Sequence, residues 1–228
     1  MRSIKKQTNF PMLWRGCLKL WLENLAKDNQ LSLLTGTYGN ISGKSVFNNN
    51  GKRRYFLEKR WARGGDVLTA IMMNPSSAAH NQTDKTVDQL IDVAKVQGCH
   101  ALYVVNISSI IDGSSNKLKS VQFSYEAINW AFVPQAITEA KVVFLGWGIK
   151  GQLGMLEQQK SNPDLVNTFT NLSSKLYCYD VLKSKDKKFA TKPLYYVPHP
   201  RPRLEQEKYR YEPIRKITSL ELVKLFIR

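Results

Sequence analysis

The sequence predicts an α/β fold, a three-layer α/β/α sandwich around a mainly parallel sheet of four to five strands. Several short apolar runs stop abruptly at turn residues, as strands do when a parallel sheet buries them on both faces. The segments between these runs repeat apolar residues at the intervals that are typical of amphipathic helices. At 228 residues the chain is long enough for one sizeable domain of this kind.

The chain divides into a basic N-terminal extension, residues 1–51, and an α/β domain, residues 52–228. Within the extension, residues 11–27 have apolar side chains at helical spacing, whereas the Gly- and Asn-rich stretch 35–51 is typical of a loop. Residues 52–57 then begin an edge strand. We therefore expect a helix and a loop ahead of the sheet.

The first buried strand of the domain, residues 67–73, is predicted to end at Asn74. Pro75 has no N–H for a strand ladder and keeps the residue before it out of the helical region. A helix follows between residues 86 and 98, and a second buried strand covers residues 101–106. Strand, helix and strand in this order form a βαβ unit with a right-handed crossover.

Further apolar runs and helical segments alternate in the second half of the chain. Strands are predicted at 142–148, 177–182 and 194–197, and helices at 124–140, interrupted at Pro134, at 152–174, broken at 162–163, and at 219–227. In a parallel sheet the carboxyl ends of the strands share one edge, where open α/β sheets place their ligands. The residues that follow each strand are therefore the first candidates for a site.

Polar or sharply turning residues follow four of the predicted strands. The four ends read Asn74-Pro75-Ser76-Ser77, Asn106 with Ser108 two positions on, Trp147-Gly148, and His199-Pro200-Arg201. Each residue also fits a purely structural role, because Asn and Ser occur in turns, Trp in cores and a His between prolines in stiff loops. Their coincidence at four strand ends favours a site in which two carboxamides and an imidazole converge.

Charge is distributed unevenly along the chain. The formal net charge is +16, and two blocks carry it: residues 1–60 with 12 basic and 3 acidic residues, and residues 183–216 with 11 and 4. The remainder is neutral. Two basic blocks around a neutral core indicate a polyanionic partner, and DNA is the partner we expect. Such binding weakens steeply with salt, because each neutralised phosphate releases counterions.

The composition argues against several other kinds of protein. Cys17, Cys99 and Cys178 are far apart and form no Cys-x-x-Cys pair, so we expect neither a zinc nor an iron–sulfur site, and no other cofactor. Unpaired cysteines are typical of a reducing cytoplasm, which is the localisation we expect. No stretch approaches the roughly 18 apolar residues of a membrane span, so no membrane partner is expected.

Together, the four motifs resemble those of the uracil-DNA glycosylase superfamily. Met73-Asn74-Pro75 is similar to its first active-site motif in the Asn-Pro form, and residues 102–106 to the strand whose terminal Asn reads the flipped pyrimidine. Residues 142–148 resemble the strand that ends in Trp-Gly. The segment His199-Pro200-Arg201-Pro202 is similar to a His-Pro-Ser-Pro motif, with Arg in place of Ser. The resemblance covers about residues 52–215 and implies a uracil-DNA glycosylase-like fold.

This resemblance implies a metal-independent, monofunctional DNA glycosylase that flips a base out of DNA and leaves an abasic site, and we expect a monomer. His199 would stabilise charge on the base, Asn74 would orient the attacking water, and Asp84 is the candidate base or else a helix cap. The implied substrate-binding residues are Pro75, Ser76, Ser77, Asn106, Trp147 and Gly148. The implied DNA-binding residues are Ser108, Arg201, Arg203 and Leu204, with Arg203 or Leu204 at the wedge that fills the emptied stack.

Ser76 is a departure from the family pattern that bears on the substrate. Uracil-specific relatives have Tyr at this position, which closes the pocket against substituents at C5 of the base. The small Ser76 implies a pyrimidine that is bulky at C5, a modified cytosine or uracil of phage DNA. The arrangement also resembles small bacterial proteins with an Asn-Pro-Ser motif, which implies a divergent bacterial branch, and a phage substrate would imply a role in defence against phage. The alternatives are a uracil-type repair glycosylase, a non-catalytic module with a base-reading pocket, and a hydrolase of free nucleotides.

Overall fold

One large sheet runs through the part of the chain that the computed structural model describes, residues 20–112 and 123–226. Its eight strands are β1 (Ser32–Tyr38), β2 (Ile41–Phe47), β3 (Arg54–Arg60), β4 (Val67–Met72), β5 (Ala101–Asn106), β6 (Val142–Leu145), β7 (Leu176–Cys178) and β10 (Arg215–Lys216). A separate pair consists of β8 (Leu182–Lys183) and β9 (Tyr195–Tyr196). The helices are α1 (Leu20–Asp28), α2 (Lys85–Val96), α3 (Ala127–Glu139), α4 (Gly148–Ser161), α5 (Leu165–Thr170) and α6 (Ser219–Phe226). None of these helices is both long enough and apolar enough to cross a bilayer.

The strand order in the large sheet is β1-β2-β3-β5-β4-β6-β7-β10. β4 pairs in parallel with β5 and β6, and β6 with β7, whereas the other pairings are antiparallel. The predicted α/β class is confirmed, with a mixed sheet. The predicted number of four to five strands is wrong, because antiparallel strands extend the four parallel ones on both sides.

The stretch 35–51, predicted to be a loop, lies largely in the β1–β2 hairpin. This hairpin pairs with β3, so β3 is an interior strand and the prediction of an edge strand there is wrong. Gly36 and Gly43, which suggested a loop, pair with each other across the hairpin. A Cβ at Gly43 would lie 2.1 Å from the carbonyl oxygen of His80, so the glycine permits another segment to approach closely instead of marking a turn.

Helices flank both faces of the sheet, with an apolar core on each side. Side chains alternate along β4, so that Thr69 and Ile71 face α3 whereas Ala70 and Met72 face α2. Burial on both faces explains why the sequence of β4 is a continuous apolar run and not an alternating one.

The predicted βαβ unit is confirmed as β4, α2 and β5. Asp84 is the N-cap of α2, and its Oδ1 accepts hydrogen bonds from the backbone N–H of Thr86 and of Val87, both at 2.9 Å. Of the predicted helix 11–27, residues 20–27 lie in α1, and residues 11–19 lie outside the described residues.

The strand predicted to precede His199 is not part of the large sheet. Its core, β9, pairs antiparallel with β8. The expectation that four parallel strands end at one edge therefore holds for β4, β5 and β6 and is wrong for the fourth. His199 reaches that edge through the loop that follows β9.

Candidate active site

The carboxyl ends of β4 and β5 lie side by side, because Met72 pairs with Asn106 in the parallel register. A cavity of about 200 Å³ opens at this edge, on the face of the sheet that α2 covers. We call it the strand-end cavity. Four predicted site residues line it, Asn74, Ser76, Asn106 and His199, so the two carboxamides and the imidazole do converge.

Asn106 lies at the end of β5 with an unsatisfied side chain. The residue is 1% exposed, and neither Oδ1 nor Nδ2 has a hydrogen-bond partner among the described residues. Leaving a buried polar group unpaired costs about 1–3 kcal/mol, so such groups are rare in folded proteins and call for an explanation. A donor and an acceptor that are buried together at a cavity indicate a ligand with a complementary edge.

The carboxamide of Asn74 has a defined orientation. Its Nδ2 donates hydrogen bonds to the backbone oxygens of Asp112, at 2.8 Å, and of Pro75, at 3.0 Å. Backbone carbonyls only accept, so the amide nitrogen must face them, and Oδ1 is the atom that remains for the cavity. Asn74 therefore offers an acceptor there, which orients a water molecule but does not take its proton.

His199 is half-buried, and its ring is anchored at Nδ1 by the backbone of Arg201. Its Nδ1 lies 3.0 Å from both the backbone nitrogen and the backbone oxygen of Arg201, so this contact accommodates either tautomer of the neutral ring. Burial lowers the pKa of His199, and this outweighs the raising effects of the Arg201 backbone and of the Asp84 carboxylate. The ring is thus neutral at pH 7, and it lines the cavity.

Gln89 of α2 holds the loop that carries His199. Its Nε2 donates to the backbone oxygens of Pro200 and Tyr209, at 3.2 and 3.0 Å, and to the hydroxyl of Tyr179 at 3.1 Å. The side chain is buried on the face of α2 that packs against the sheet. A tertiary contact from the βαβ unit, and not strand pairing, therefore brings the imidazole to the cavity.

Two carboxylates lie near the cavity in different settings. Asp84 does not line it, and besides capping α2 it accepts a hydrogen bond from the hydroxyl of Ser76. The structure thus supports the cap interpretation of Asp84, and the base role stays a prediction. Asp112, which the sequence did not single out, lines the cavity next to Asn74. In the described ranges, no three His, Cys, Asp or Glu side chains are grouped as a metal site requires.

A second cavity of about 440 Å³ adjoins the first, and Met73 and His199 line both. We call it the basic cavity. Its walls include Trp147 and Gly148 and several basic side chains, which are Lys150, Arg201, Arg203 and Lys208. Glu205 also lines it and forms an ion pair with Lys208 at 2.7 Å, so a small polar cavity opens beside a larger one whose charged residues are mainly basic.

Four predicted substrate-binding residues lie outside the strand-end cavity. Trp147 is fully buried, contacts Phe169 and Phe226 and donates from Nε1 to Gln152 at 3.0 Å, so its setting is that of a core residue that borders the basic cavity. Gly148 lines the basic cavity beside His199, with a φ of +69° that favours glycine. Pro75 is buried and accepts from Asn74, whereas Ser77 is exposed.

The predicted DNA-binding residues divide into buried and exposed ones. Ser108 is only 4% exposed, which does not support its predicted contact with a phosphate. Arg201 forms an ion pair with Glu207 at 2.8 Å and lines the basic cavity. Arg203 is exposed on the same cavity, and Leu204 is 96% exposed, as a wedge residue has to be.

Arg54 is a cavity residue that the sequence reasoning missed. It is 1% exposed and lines the strand-end cavity together with Asn106. In the sequence it belongs to a basic block and is indistinguishable from surface cations. Only the pairing of β3 with β5 places it at the cavity, because an antiparallel strand begins where its neighbour ends.

A comparison with protein-family models matches residues 54–190 to DUF1643, which is described as a protein of unknown function. The chain belongs to the DUF1643 family. The matched range contains Arg54, Asn74 and Asn106 and ends before His199. No curated protein matches this DUF1643 member. A solved structure similar to it is hetero-hexameric glutamate dehydrogenase from Thermus thermophilus in a Leu-bound form, at 14% identity and a TM-score of 0.24, over 70% of this chain and 40% of that one.

Proposed function

We propose that this DUF1643 protein is a monofunctional DNA glycosylase with a uracil-DNA glycosylase-like fold, which removes a flipped-out pyrimidine and leaves an abasic site. The observation that carries the proposal is the unpaired carboxamide of Asn106 in a cavity that it shares with Asn74 and His199. A pyrimidine edge places a donor beside an acceptor, which is the complement of an amide. The +16 charge of the chain supports a polyanionic substrate.

The size of the two cavities supports a base on one side and a nucleic-acid backbone on the other. The strand-end cavity, about 200 Å³, equals the space of roughly seven water molecules at about 30 Å³ each, which suits a single six-membered ring. A base inside a duplex cannot reach such a cavity without leaving the stack. The basic cavity next to His199 is where the sugar and phosphates of the flipped nucleotide would lie.

The chemistry assigns one task to each polar group. When the N-glycosidic bond breaks, its electron pair leaves with the base, and water bonds to C1′ of the sugar and gives up a proton. We assign the proton of the neutral His199 ring to Nε2, the tautomer in which the Arg201 N–H donates to Nδ1. This Nε2–H stabilises the negative charge on the base oxygen, and Oδ1 of Asn74 orients the water. Asp112 lines the cavity beside Asn74, and we assign to its carboxylate the proton that an amide cannot accept.

The substrate that we favour carries a substituent at C5. Ser76 lines the strand-end cavity and its hydroxyl is turned to Asp84, so the side chain leaves space where a Tyr would fill it. A C5-modified uracil or cytosine fits this space, and a role in defence against phage with modified DNA follows from it.

Mass spectrometry of the small molecules that the protein releases from DNA tests the activity. Duplex and single-stranded DNA from hosts and from phages with modified pyrimidines are the substrates, and boiled protein is the control. We expect a free pyrimidine and an equal amount of abasic sites. Release of plain uracil alone would contradict the C5 hypothesis, and release from free nucleotides but not from DNA would indicate a nucleotide hydrolase.

A non-catalytic base-reading module is the second candidate, and one observation favours it. The first motif places an amide, Asn74, where water activation calls for a carboxylate. Such a module would bind DNA through the same cavities and release nothing. Tight DNA binding without any liberated base, in the mass-spectrometric assay, would establish it in place of the enzyme.

The roles of the two carboxylates are separable by substitution. We expect Asp112→Asn to lower base release by about 10²- to 10⁴-fold, as the loss of a general base does. Asp84→Ser keeps an N-cap for α2 and should leave release largely unchanged. Single-turnover rates on duplex DNA measure both effects. A larger loss of base release in Asp84→Ser than in Asp112→Asn would assign the role of general base to Asp84.

The pH dependence of base release reports on His199. Because burial lowers its pKa, the neutral donor form persists below the ordinary value of about 6.5. We expect the acid limb of the pH–rate profile that is due to His199 to have its midpoint below this value. The free energy of unfolding should depend on pH in the same direction. The stabilisation due to neutral His199 is present above the unfolded pKa and is lost as the pH falls through the lower folded pKa. A His199-dependent midpoint above about 6.5 would contradict this assignment.

A further inference from the structure

Arg54 and His199 flank the strand-end cavity from opposite sides. In the sheet order β3-β5-β4-β6, Arg54 begins β3, while His199 lies beside Gly148, which follows β6. The ends of β5 and β4 lie between them and carry Asn106 and Asn74. A ring in the cavity therefore meets one side chain from each flank and an amide in the middle.

Arg54 is a buried cation without a directly bonded carboxylate among the described residues. One Nη1–H donates to the backbone oxygen of Ala78, and Nε is buried without a partner in the same ranges. Burial lowers its pKa to about 10, against the raising effect of Asp84, so the guanidinium is charged at neutral pH. A desolvated charge of this kind favours a ligand that brings an acceptor.

Arg54 can also distinguish uracil from cytosine, which the two amides alone cannot do. Asn106 presents either a donor or an acceptor and so pairs with uracil or cytosine, whereas a guanidinium only donates. A keto pyrimidine of the uracil class has a carbonyl on each side of its ring N–H. A cytosine has a carbonyl on one side and an amino donor on the other.

We propose that Arg54 is the specificity-determining residue of this site and selects keto pyrimidines over amino pyrimidines. His199 donates to one carbonyl, Oδ1 of Asn106 accepts from the ring N–H, and Arg54 donates to the second carbonyl. Cytosine has an amino group in place of the second carbonyl, so two donors would face each other there. This inference rests on the proposed function in taking the ligand to be a base. It restricts the substrate class to uracils, including those modified at C5.

Calorimetric binding of free bases to the full-length wild-type protein is the first arm of the test. The probes are uracil, cytosine and pyrimidin-2-one, which lacks the second carbonyl. We expect uracil to bind at least about tenfold more tightly than either, which is the effect of one charge-assisted hydrogen bond. Similar affinities for the three bases would overturn the proposal, whether or not any variant folds.

Variants of two neighbouring cations form the second arm. Arg54→Gln should abolish the preference, because its amide also accepts, and Arg54→Lys should retain it. Lys59→Gln is the matched control: Lys59 is also on β3 and 1% exposed, but it does not line the cavity, so the preference should survive. A preference that persists in folded Arg54→Gln would overturn the proposal. Binding of free bases requires no turnover. A preference for uracil without base release from DNA would therefore exclude the glycosylase function but not the role of Arg54 in selecting the base.

Discussion

Base release from DNA is expected to fall by about 10²- to 10³-fold in His199→Ala, the usual cost of removing one hydrogen-bond donor from developing negative charge. His199 lines the strand-end cavity and is the proposed donor, and the Arg201 groups at its Nδ1 belong to the backbone, so the substitution leaves them in place. DNA affinity should change little, because phosphate contacts dominate it. Single-turnover release and equilibrium binding to the same oligonucleotide are the two measurements.

His100→Ala is the matched control for this experiment. His100 directly precedes β5, so it lies at the edge of the sheet opposite to the strand-end cavity. Its removal should leave base release within a few-fold of wild type. Equal losses in both variants would point to a general effect on folding, and an unchanged rate in His199→Ala would exclude the donor role.

Replacing Asn106 by Leu is expected to stabilise the protein and, at the same time, to lower its activity. The buried amide has no partner among the described residues, so an apolar side chain of similar size should raise the free energy of unfolding by about 1 kcal/mol or more. Base release should fall by about 10²-fold, because the base edge loses two hydrogen bonds of roughly 1.4 kcal/mol each. Denaturant unfolding and single-turnover kinetics measure the two effects.

Asn129→Leu provides the contrast. Asn129 is also buried, but its Nδ2 donates to the backbone oxygens of Asn106, at 2.8 Å, and Ile107, at 3.4 Å. Its loss removes the partner of the Asn106 carbonyl, whereas the Ile107 carbonyl keeps the hydrogen bond from Gln158 Nε2 at 2.9 Å. We expect the substitution to destabilise the fold by about 1–3 kcal/mol. If Asn106→Leu were destabilising to the same extent, the carboxamide would have a structural role, and the ligand-binding interpretation would lose its main support.

The strand-end motifs show how far local sequence extends toward the site. Asn74 and Asn106 were placed correctly because each ends a strand of one βαβ unit, whose parallel pairing follows from a short-range pattern. His199 was predicted on a wrong premise, since β9 lies outside the large sheet. The imidazole still reaches the cavity, because Gln89 holds the following loop.

Other residues carried no local signal of their position. Trp147 has the same neighbours in sequence whether it faces a ligand or the core, and its burial against Phe169 and Phe226 depends on α5 and α6. Asp84 fits both a cap and a base from sequence, and its bonds to the N–H of Thr86 and Val87 support the cap. The burial of a side chain and the identity of its hydrogen-bond partners depend on the tertiary structure.

Local sequence was sufficient to predict the α/β class, the βαβ unit and the amide at each of its strand ends, because hydrophobic period and proline sterics act within a few residues. It did not indicate that the β1–β2 hairpin extends the sheet, that Asp112 lines the cavity or that Arg54 is buried beside Asn106, all of which follow from the folded structure. These features depend on the pairing of segments far apart in the chain, and a surface cation and a buried one look identical until that pairing desolvates one of them.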